Sequence, residues 1–258
     1  MSDLVKRVIS GAIGLILLIF ILVKGGYLLY FSLYILSIIG LREFYKAIEN
    51  TDITPCYFVG YLGATGVLLN CIFPEIDIDL IFTVIILVLL SVIVISKKYS
   101  LKDISATLMG IIYVPFLLFH IAYLEKTVYL YLVFIIAFGT DTFAYFIGNL
   151  FGRKKLCPTI SPNKTVEGSI GGILGSIVLV VLYSLYFNIK PLWSMILLSV
   201  ITSILSQLGD LTASRIKRIS KIKDFGYIIP GHGGVLDRFD SIIFTAPVIY
   251  YYTKIILI

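Results

Sequence analysis

Residues 80–96, LIFTVIILVLLSVIVIS, decide the fold, because this run contains no charged side chain. An α-helix of that length is about 26 Å long, close to the ~30 Å thickness of the hydrocarbon core of a bilayer. The run therefore predicts a membrane-spanning helix. Similar apolar runs recur on both sides of it, and together they predict nine spans, at residues 8–23, 27–40, 57–73, 80–96, 104–124, 129–150, 168–187, 192–212 and 242–258.

The composition of the whole chain agrees with a membrane protein. Of its 258 residues, 59% are hydrophobic and only 14% are charged, and the mean hydropathy is +1.02. Soluble domains have about a quarter of their residues charged. No linker, low-complexity tract or repeat divides the sequence. We therefore expect an all-α polytopic membrane protein with one domain over residues 1–258.

Three local features refine this prediction. Lys24-Gly25-Gly26 separates the first two spans, so these spans should form a tight helical hairpin. The N-terminal apolar run lacks a small-residue cleavage pattern, so it is interpreted as the first span rather than as a secretory signal. Pro115 is expected to kink the fifth span, which a bilayer tolerates where neighbouring groups satisfy the freed backbone.

The number and spacing of the cysteine and histidine residues argue against two kinds of site. Cys56, Cys71 and Cys157 are odd in number and lack CxxC spacing, which argues against a disulfide framework and a zinc site. His120 and His232 are the only histidines, so a histidine-rich metal site is also excluded. His120 lies within an apolar span and is expected to be a packed core histidine.

Lysine and arginine residues predict the orientation, because they accumulate in cytoplasmic segments. An N-terminus inside, and a C-terminus outside after nine spans, places the two long polar loops, 151–167 and 213–241, in the cytoplasm. This topology and phosphate chemistry explain the formal charge of +6, so nucleic acid is not an expected partner. The cytoplasmic basic residues are then Lys6, Arg7, Arg42, Lys46, Lys97, Lys98, Lys102, Arg153, Lys154, Lys155, Lys164 and those of residues 215–238.

The densest polar segment is residues 206–240, SQLGDLTASRIKRISKIKDFGYIIPGHGGVLDRFD. If the eighth span continues as a helix beyond residue 212, Asp210 shares one face with Ser214, Lys217 and Lys221. A helix that starts near residue 235 would direct two carboxylates the same way. Clustered carboxylates repel and are costly to desolvate, and a bound Mg²⁺ relieves both problems. We therefore expect one or two Mg²⁺ ions, with ligands Asp210, Asp237 and Asp240.

The residues around these carboxylates suit a polyanion such as a nucleoside triphosphate. Glycines in the same loop would let backbone N–H groups approach phosphate oxygens closely. An ordinary positive-inside loop with a glycine turn is the alternative, and the interleaved aspartates favour a site. The basic residues are Lys217, Arg218, Lys221, Lys223 and Arg238, and the glycines are Gly231, Gly233 and Gly234.

The pattern S-x-x-K-R-x4-K-D-x-G-x3-P-G-H-G-G-x2-D-R-x-D, matched from Ser214 to Asp240, resembles the signature of the phosphatidate cytidylyltransferase (CDP-diglyceride synthase) family. Members of that family are polytopic and Mg²⁺-dependent. His232 is expected to have a positional role, because a phosphate monoester is already ionised at neutral pH. The resemblance implies catalytic roles for Asp210, Asp237, Asp240, Lys217 and Arg238. It implies substrate binding by Ser214, Arg218, Lys223, Asp224, Gly231, His232, Gly233 and Gly234.

A second segment, residues 161–168 (SPNKTVEG), resembles the S-P-x-K-T-x-E-G segment of the same family. It is expected to be a short loop that leads into a helix, whose N-terminus favours anions. A plain turn before the helix, with Pro162 near the first helical position, is the alternative. The candidate substrate-binding residues here are Ser161, Lys164, Thr165 and Glu167. Gly168, Gly172 and Gly175 should serve close helix packing.

A third segment, residues 139–148 (GTDTFAYFIG), contains Asp141 in an apolar span. A carboxylate in such a place is expensive, so it indicates a functional site by default. The D-x2-A-Y-x2-G pattern also resembles the family, and Asp141 is expected to support the metal or contact the nucleotide. A carboxylate paired with a cation for folding is the alternative. The following Gly152-Arg153-Lys154-Lys155 suits either a phosphate site or a topogenic charge cluster.

The resemblance implies transfer of the cytidylyl group of CTP to phosphatidic acid, which forms CDP-diacylglycerol and pyrophosphate in phospholipid biosynthesis. The expected partners are CTP, phosphatidic acid and the lipid bilayer, and exposed glycine-rich helix faces permit a homodimer. The expected location is the cell (inner) membrane, with the active site facing the cytoplasm. Alternatives are a CTP-dependent lipid or polyprenol kinase and a cytidylyltransferase for another lipid phosphate. A transporter lined by Asp141 and Asp210 is disfavoured, because the polar residues crowd one surface.

Overall fold

A computed structural model describes residues 3–229, 231 and 233–256. The described chain is almost entirely helical. A π-helical turn at Ile112–Phe116 separates α5 from α6. The elements are α1 Asp3–Lys24, α2 Gly26–Glu49, α3 Tyr57–Ile72, α4 Ile78–Ile95, α5 Leu101–Ile111, α6 Leu117–Tyr123, α7 Tyr129–Phe151, β1 Lys155–Cys157, β2 Ser161–Thr165, α8 Val166–Tyr186, α9 Leu192–Ile219 and α10 Leu236–Ile256.

Each predicted span coincides with one of these helical segments. Six described segments are long and apolar enough to cross a membrane, and α5, the π turn and α6 together count as one of them. Val8–Lys24 and Tyr57–Ile72 are shorter apolar helices. The chain is therefore a helical multi-pass membrane protein, while the count of nine spans stays a prediction.

Two helices continue well beyond the C-terminal ends of the predicted spans. The second span was predicted to end at residue 40, and α2 continues to Glu49. The eighth was predicted to end at residue 212, and α9 continues to Ile219. Both extensions contain charged residues, which end the apolar run from which a span is predicted.

The described chain divides by its internal contacts into two compact units. The first contains Met1–Glu125 and Ile216–Arg238, and the second contains Lys126–Arg215 and Phe239–Ile258. Both units are discontinuous in sequence, because α9 and α10 each contribute residues to both. The prediction of one domain over the whole chain stays a prediction.

In the first unit, α2 is the central helix and packs against α1, α3, α5, the π turn and α6. Tyr45 of α2 is fully buried, and its hydroxyl donates to the backbone oxygen of Thr107 at 2.8 Å. Helices α1 and α2 are joined by a tight turn at Gly25 and Gly26, whose φ angles are 61° and 59°, while the hairpin itself stays a prediction. That left-handed backbone region favours glycine. Pro115 lies within the π turn, which interrupts the α-helical hydrogen-bond pattern at that point, and the kink stays a prediction.

In the second unit, α7 and α8 pack closely along their length. A Cβ atom at Gly168 would lie 2.7 Å from the backbone oxygen of Ala144, and one at Gly172 would lie 2.8 Å from that of Thr140. At Gly175 a Cβ would meet the ring of Phe143. The predicted packing role of these glycines is confirmed. Their close approach serves contacts within the chain.

The segment Ser161–Thr165 was predicted as a loop, and this prediction is wrong. It forms strand β2, which pairs with β1 in an antiparallel hairpin with Lys155 opposite Thr165. The strands are short and polar, so no alternation of apolar residues marks them in the sequence. Pro162 accordingly lies in the strand, and α8 begins only at Val166.

Candidate active site

The second unit joins two of the sequence motifs through Asp210. Asp210 lies on α9, and its carboxylate forms an ion pair with the ammonium group of Lys164 on β2. Both side chains are 27% exposed. Ser214, one turn further along α9, donates its hydroxyl to Asp210 Oδ1 at 3.3 Å. The 161–168 motif therefore contacts the 206–240 segment directly.

The third motif reaches the same unit through α10. Ser241 donates its hydroxyl to Asp141 Oδ2 at 3.3 Å, and its backbone N–H donates to Asp240 Oδ1 at 2.8 Å. Next to Asp210, a Cβ atom at Gly209 would lie 2.5 Å from the backbone oxygen of Asp240. Helices α9 and α10 thus approach each other closely near Asp210 and Asp240. Residues from all three motifs lie together in one compact unit.

The start of α8 gives structural roles to two predicted substrate-binding residues. Thr165 is the N-cap of α8, and its hydroxyl oxygen accepts the N–H of Gly168 at 3.1 Å. Glu167 accepts the backbone N–H of Arg153 at 3.0 Å and that of Lys154 at 3.2 Å. These bonds hold the residues just before β1 against the first turn of α8. Within the 161–168 motif, Lys164 is the residue whose ammonium group pairs with Asp210 of α9.

In the first unit, Asp237 is a strongly hydrogen-bonded carboxylate. Lys217 Nζ lies 2.7 Å from its Oδ1, and the Lys217 and Asp237 side chains are only 14% and 2% exposed. The N–H groups of Phe225 and Gly234 donate to Oδ2 at 2.8 and 3.0 Å. Asp237 lies at the start of α10, so these three donors fix the loop 225–236 to that helix. The N–H of Gly234 was expected to approach a phosphate oxygen. In this structure it donates to Asp237 instead.

Glu43 of α2 was not among the residues predicted from the sequence. This carboxylate is 5% exposed and accepts the N–H groups of Val235 and Leu236 at 3.0 and 2.9 Å. A signal for it did exist, since an acidic residue in an apolar helix is unusual. That rule was applied to Asp141 alone, because the second span was predicted to end three residues before Glu43.

The other predicted residues lie in or near the loop between α9 and α10. Gly231 and Gly233 have φ angles of 77° and 91°, a backbone region that favours glycine. Lys221 was predicted to lie on the face of α9, but that helix ends at Ile219 and Lys221 follows it with a φ of 55°. His232 lies outside the described residues. Arg218, Lys223 and Arg238 are exposed, and Asp224 is half-buried.

His120 has the structural role that the sequence predicted. The three cysteines are free thiols. His120 is buried, and its Nδ1 lies 2.9 Å from the backbone oxygen of Phe116. Its ring packs edge-on against Phe116 and Tyr123. The prediction of a packed core histidine is confirmed.

The aspartates offer the ligands that Mg²⁺ prefers, although they are paired in other ways. Among the described residues, no three histidine, cysteine, aspartate or glutamate side chains form a group able to hold a metal ion. The donor chemistry nevertheless fits, because Mg²⁺ takes carboxylate oxygens. Asp210 and Asp237 each hold an ammonium group, which shows that each carboxylate accommodates a cation. Asp240 has one oxygen on the backbone of the next residue.

Comparison with known proteins identifies the family. The model of a family described as the cytidylyltransferase family matches residues 5–256. A phosphatidate cytidylyltransferase of Staphylococcus saprophyticus is 37% identical over 254 residues, which cover 94% of this chain and 96% of that protein. One from Staphylococcus haemolyticus is 36% identical over 255 residues, with the same two coverages. One from Staphylococcus aureus (strain COL) is 37% identical over 255 residues, again covering 94% and 96%. A match along nearly the whole chain, with the motif residues lying together as described above, places this chain in the cytidylyltransferase family.

Proposed function

We propose that this chain transfers the cytidylyl group of CTP to phosphatidic acid and forms CDP-diacylglycerol and pyrophosphate. The observation that carries the proposal is the meeting of three polar motifs in the second unit. Lys164 pairs with Asp210, and Ser241 bonds to Asp141 and to its neighbour Asp240. The similar proteins of matching length are named for this activity.

The reaction joins two anions, so charge neutralisation and positioning are the main tasks of the protein. A phosphate oxygen of phosphatidic acid attacks the α-phosphorus of CTP. The new P–O bond forms as the bond to the β-phosphate oxygen breaks, and that oxygen leaves with pyrophosphate. Arginine and lysine side chains are suited to hold the phosphates of both substrates. We assign this role to Lys164, Lys217, Arg218 and Arg238.

Mg²⁺ is part of the proposal. Asp210, Asp237 and Asp240 are the candidate ligands, because their carboxylate oxygens are the type that this ion takes. When bound, Mg²⁺ would neutralise charge on the phosphates of CTP. Lys164 and Lys217 each balance one of these carboxylates. The lysines therefore hold the aspartates in ordered positions for their role.

We also propose the orientation in which both long polar segments face the cytoplasm, with nine spans and the N-terminus inside. The distribution of basic residues supports this topology. Tyr227 lies in the loop between α9 and α10 and is 86% exposed, so a cysteine there would be reactive. A Tyr227→Cys variant without native cysteines should react with an impermeant maleimide in inverted vesicles and stay unlabelled in intact spheroplasts. The opposite pattern would reverse the topology.

The activity can be tested on purified protein in detergent with phosphatidic acid, Mg²⁺ and CTP labelled in the α-phosphate. Label should enter the organic phase with CTP and not with ATP, GTP or UTP. The transfer should stop with EDTA, return with added Mg²⁺, and be lost in Asp240→Asn. A folded wild type that transfers no label would refute the proposal. Label in lipid only from γ-labelled CTP would indicate the CTP-dependent kinase instead.

A further inference from the structure

Glu43 is a buried carboxylate to which no catalytic role has been given. It lies on α2 with 5% of its surface exposed, in a helix whose composition suits a membrane span. Burying an ionised carboxylate costs several kcal/mol unless hydrogen bonds and opposite charge compensate. Glu43 must therefore have a strong set of partners.

Those partners are backbone groups of the signature loop. Glu43 Oε1 accepts the N–H of Val235 at 3.0 Å, and Oε2 accepts the N–H of Leu236 at 2.9 Å. Leu236 is the first residue of α10. The first N–H groups of a helix have no partner within the helix and carry partial positive charge. Glu43 therefore caps α10 from a helix that is distant in sequence.

Two glycines of the loop fit around the same carboxylate. A Cβ atom at Gly234 would lie 2.5 Å from Glu43 Oε1, and one at Gly226 would also collide with it. Both glycines belong to the matched signature. The missing side chains leave the space that Glu43 fills, so α2 and the loop are complementary in shape as well as in charge.

The residue next to this cap is Asp237. Its Oδ2 accepts the N–H of Gly234, and Glu43 holds the two residues between Gly234 and Asp237. The position of the Asp237 carboxylate therefore depends on the anchoring of the backbone before it. Asp237 in turn binds the ammonium group of Lys217.

We infer that Glu43 is a positioning residue for the proposed reaction: it anchors the start of α10 to α2 and so sets the place of Asp237 and Lys217. The inference rests on the proposed function for its kinetic readout only. Glutamine in place of Glu43 keeps the shape and loses the charge, and its NH₂ group would face one of the two N–H donors. The anchor should then loosen while the apolar contacts of α2 remain.

The test compares the full-length Glu43→Gln variant with the wild type in detergent. Amide hydrogen exchange in a peptide covering residues 233–238 should become about tenfold or more faster, since the two bonded N–H groups lose their carboxylate. The kcat for transfer from CTP should fall about 10- to 100-fold, as expected for misplaced catalytic groups. The Mg²⁺ concentration for half-maximal activity should rise. Glu49→Gln, an exposed position on the same helix, should behave as the wild type does.

Each result has a defined meaning. Unchanged exchange at 233–238 overturns the anchor, and faster exchange with unchanged kcat and Mg²⁺ requirement overturns the positioning role. A lower kcat with an unchanged Mg²⁺ requirement and unchanged exchange would indicate only a loss of folded enzyme, which also refutes it. If the folded wild type transfers no label, the proposed function fails, and the exchange measurement alone still decides whether Glu43 anchors the loop.

A second variant covers the case in which Glu43→Gln does not fold. Gly226→Ala leaves α2 intact and pushes a methyl group against the Glu43 carboxylate. It should accelerate exchange at 233–238 and lower kcat in the same way. The shorter side chain of Glu43→Asp makes room for the methyl group. In that background, Gly226→Ala should change kcat and amide exchange much less than it does alone. Effects that simply multiply would overturn the inference.

Discussion

Removing the ammonium group of Lys217 should destabilise the folded protein strongly. The pair with Asp237 is nearly dry, with the two side chains 14% and 2% exposed. Breaking a buried ion pair by removing one partner costs about 3–5 kcal/mol. In Lys217→Met, two backbone N–H donors remain on Asp237, so we expect the lower end, about 3 kcal/mol. For a chain of this size that free energy corresponds to a fall in the melting temperature of about 6–12 °C.

Lys164→Met is the matched control. Lys164 also pairs with an aspartate of the 206–240 segment, but both side chains of its pair are 27% exposed. Such a pair contributes about 0–1 kcal/mol to stability, so the melting temperature should fall by no more than about 4 °C. The two variants remove the same group with the same replacement. Any difference between them therefore reports the burial of the pair.

A thiol-reactive fluorophore can follow the unfolding in detergent. Cys56 is buried and reports the opening of the first unit, which contains Lys217. The loss of helical circular dichroism, recorded for both variants, also reports the second unit, which contains Lys164. Replacing Cys71 and Cys157 by serine removes the half-buried thiols and leaves one reporter. If Lys217→Met melted within about 4 °C of the wild type, or no lower than Lys164→Met, the reasoning from burial would be refuted.

Three further predictions concern the second unit. Gly172→Val should lower the free energy of unfolding by about 1–3 kcal/mol, because its Cβ would lie 2.8 Å from a backbone oxygen of α7; a wild-type melting curve would contradict this. Glu167→Gln should speed amide exchange at residues 153–157 with little change in melting temperature, because Glu167 holds two hairpin N–H groups from an exposed position; unaltered exchange would contradict that role. Asp141→Asn should lower kcat at least about tenfold if Asp141 acts electrostatically, while Ser241→Ala, which removes one 3.3 Å bond to it, should cost about two- to threefold. Equal effects of these two changes would show that the bond, rather than the charge, matters.

The helices could be predicted from sequence because apolar runs are a local property. The run at 80–96 became α4, Ile78–Ile95, and Lys24-Gly25-Gly26 became the turn between two helices. The last turns of α2 were missed, because charged residues there hide the continuing helix, and the continuation of α9 beyond residue 212 was considered only as a condition. The β1–β2 hairpin was missed because its strands are short and polar.

Candidate site residues can be proposed from local motifs, whereas their partners cannot. The motifs predicted Lys164, Asp210 and Asp237 as charged site residues, and their roles stay a prediction. No local pattern says that Lys164 pairs with Asp210, since the two lie on different elements far apart in the chain. Glu43 was missed for the same reason, because its partners Val235 and Leu236 lie near the other end of the sequence. Such pairs are set by packing, which a single sequence does not display.

The two lysine–aspartate pairs act as internal counterions, and this affects which anions the protein can hold. A free lysine on a basic surface attracts any anion, including the abundant chloride and inorganic phosphate of a cell. Lys164 and Lys217 already have their charge balanced by carboxylates, so a simple anion gains little by approaching them and would also meet the negative charge of the aspartate. Separating a lysine from its aspartate is favourable only if the ligand also supplies a positive charge that replaces the lysine at the carboxylate. The two pairs should therefore favour binding of anions that arrive together with a cation.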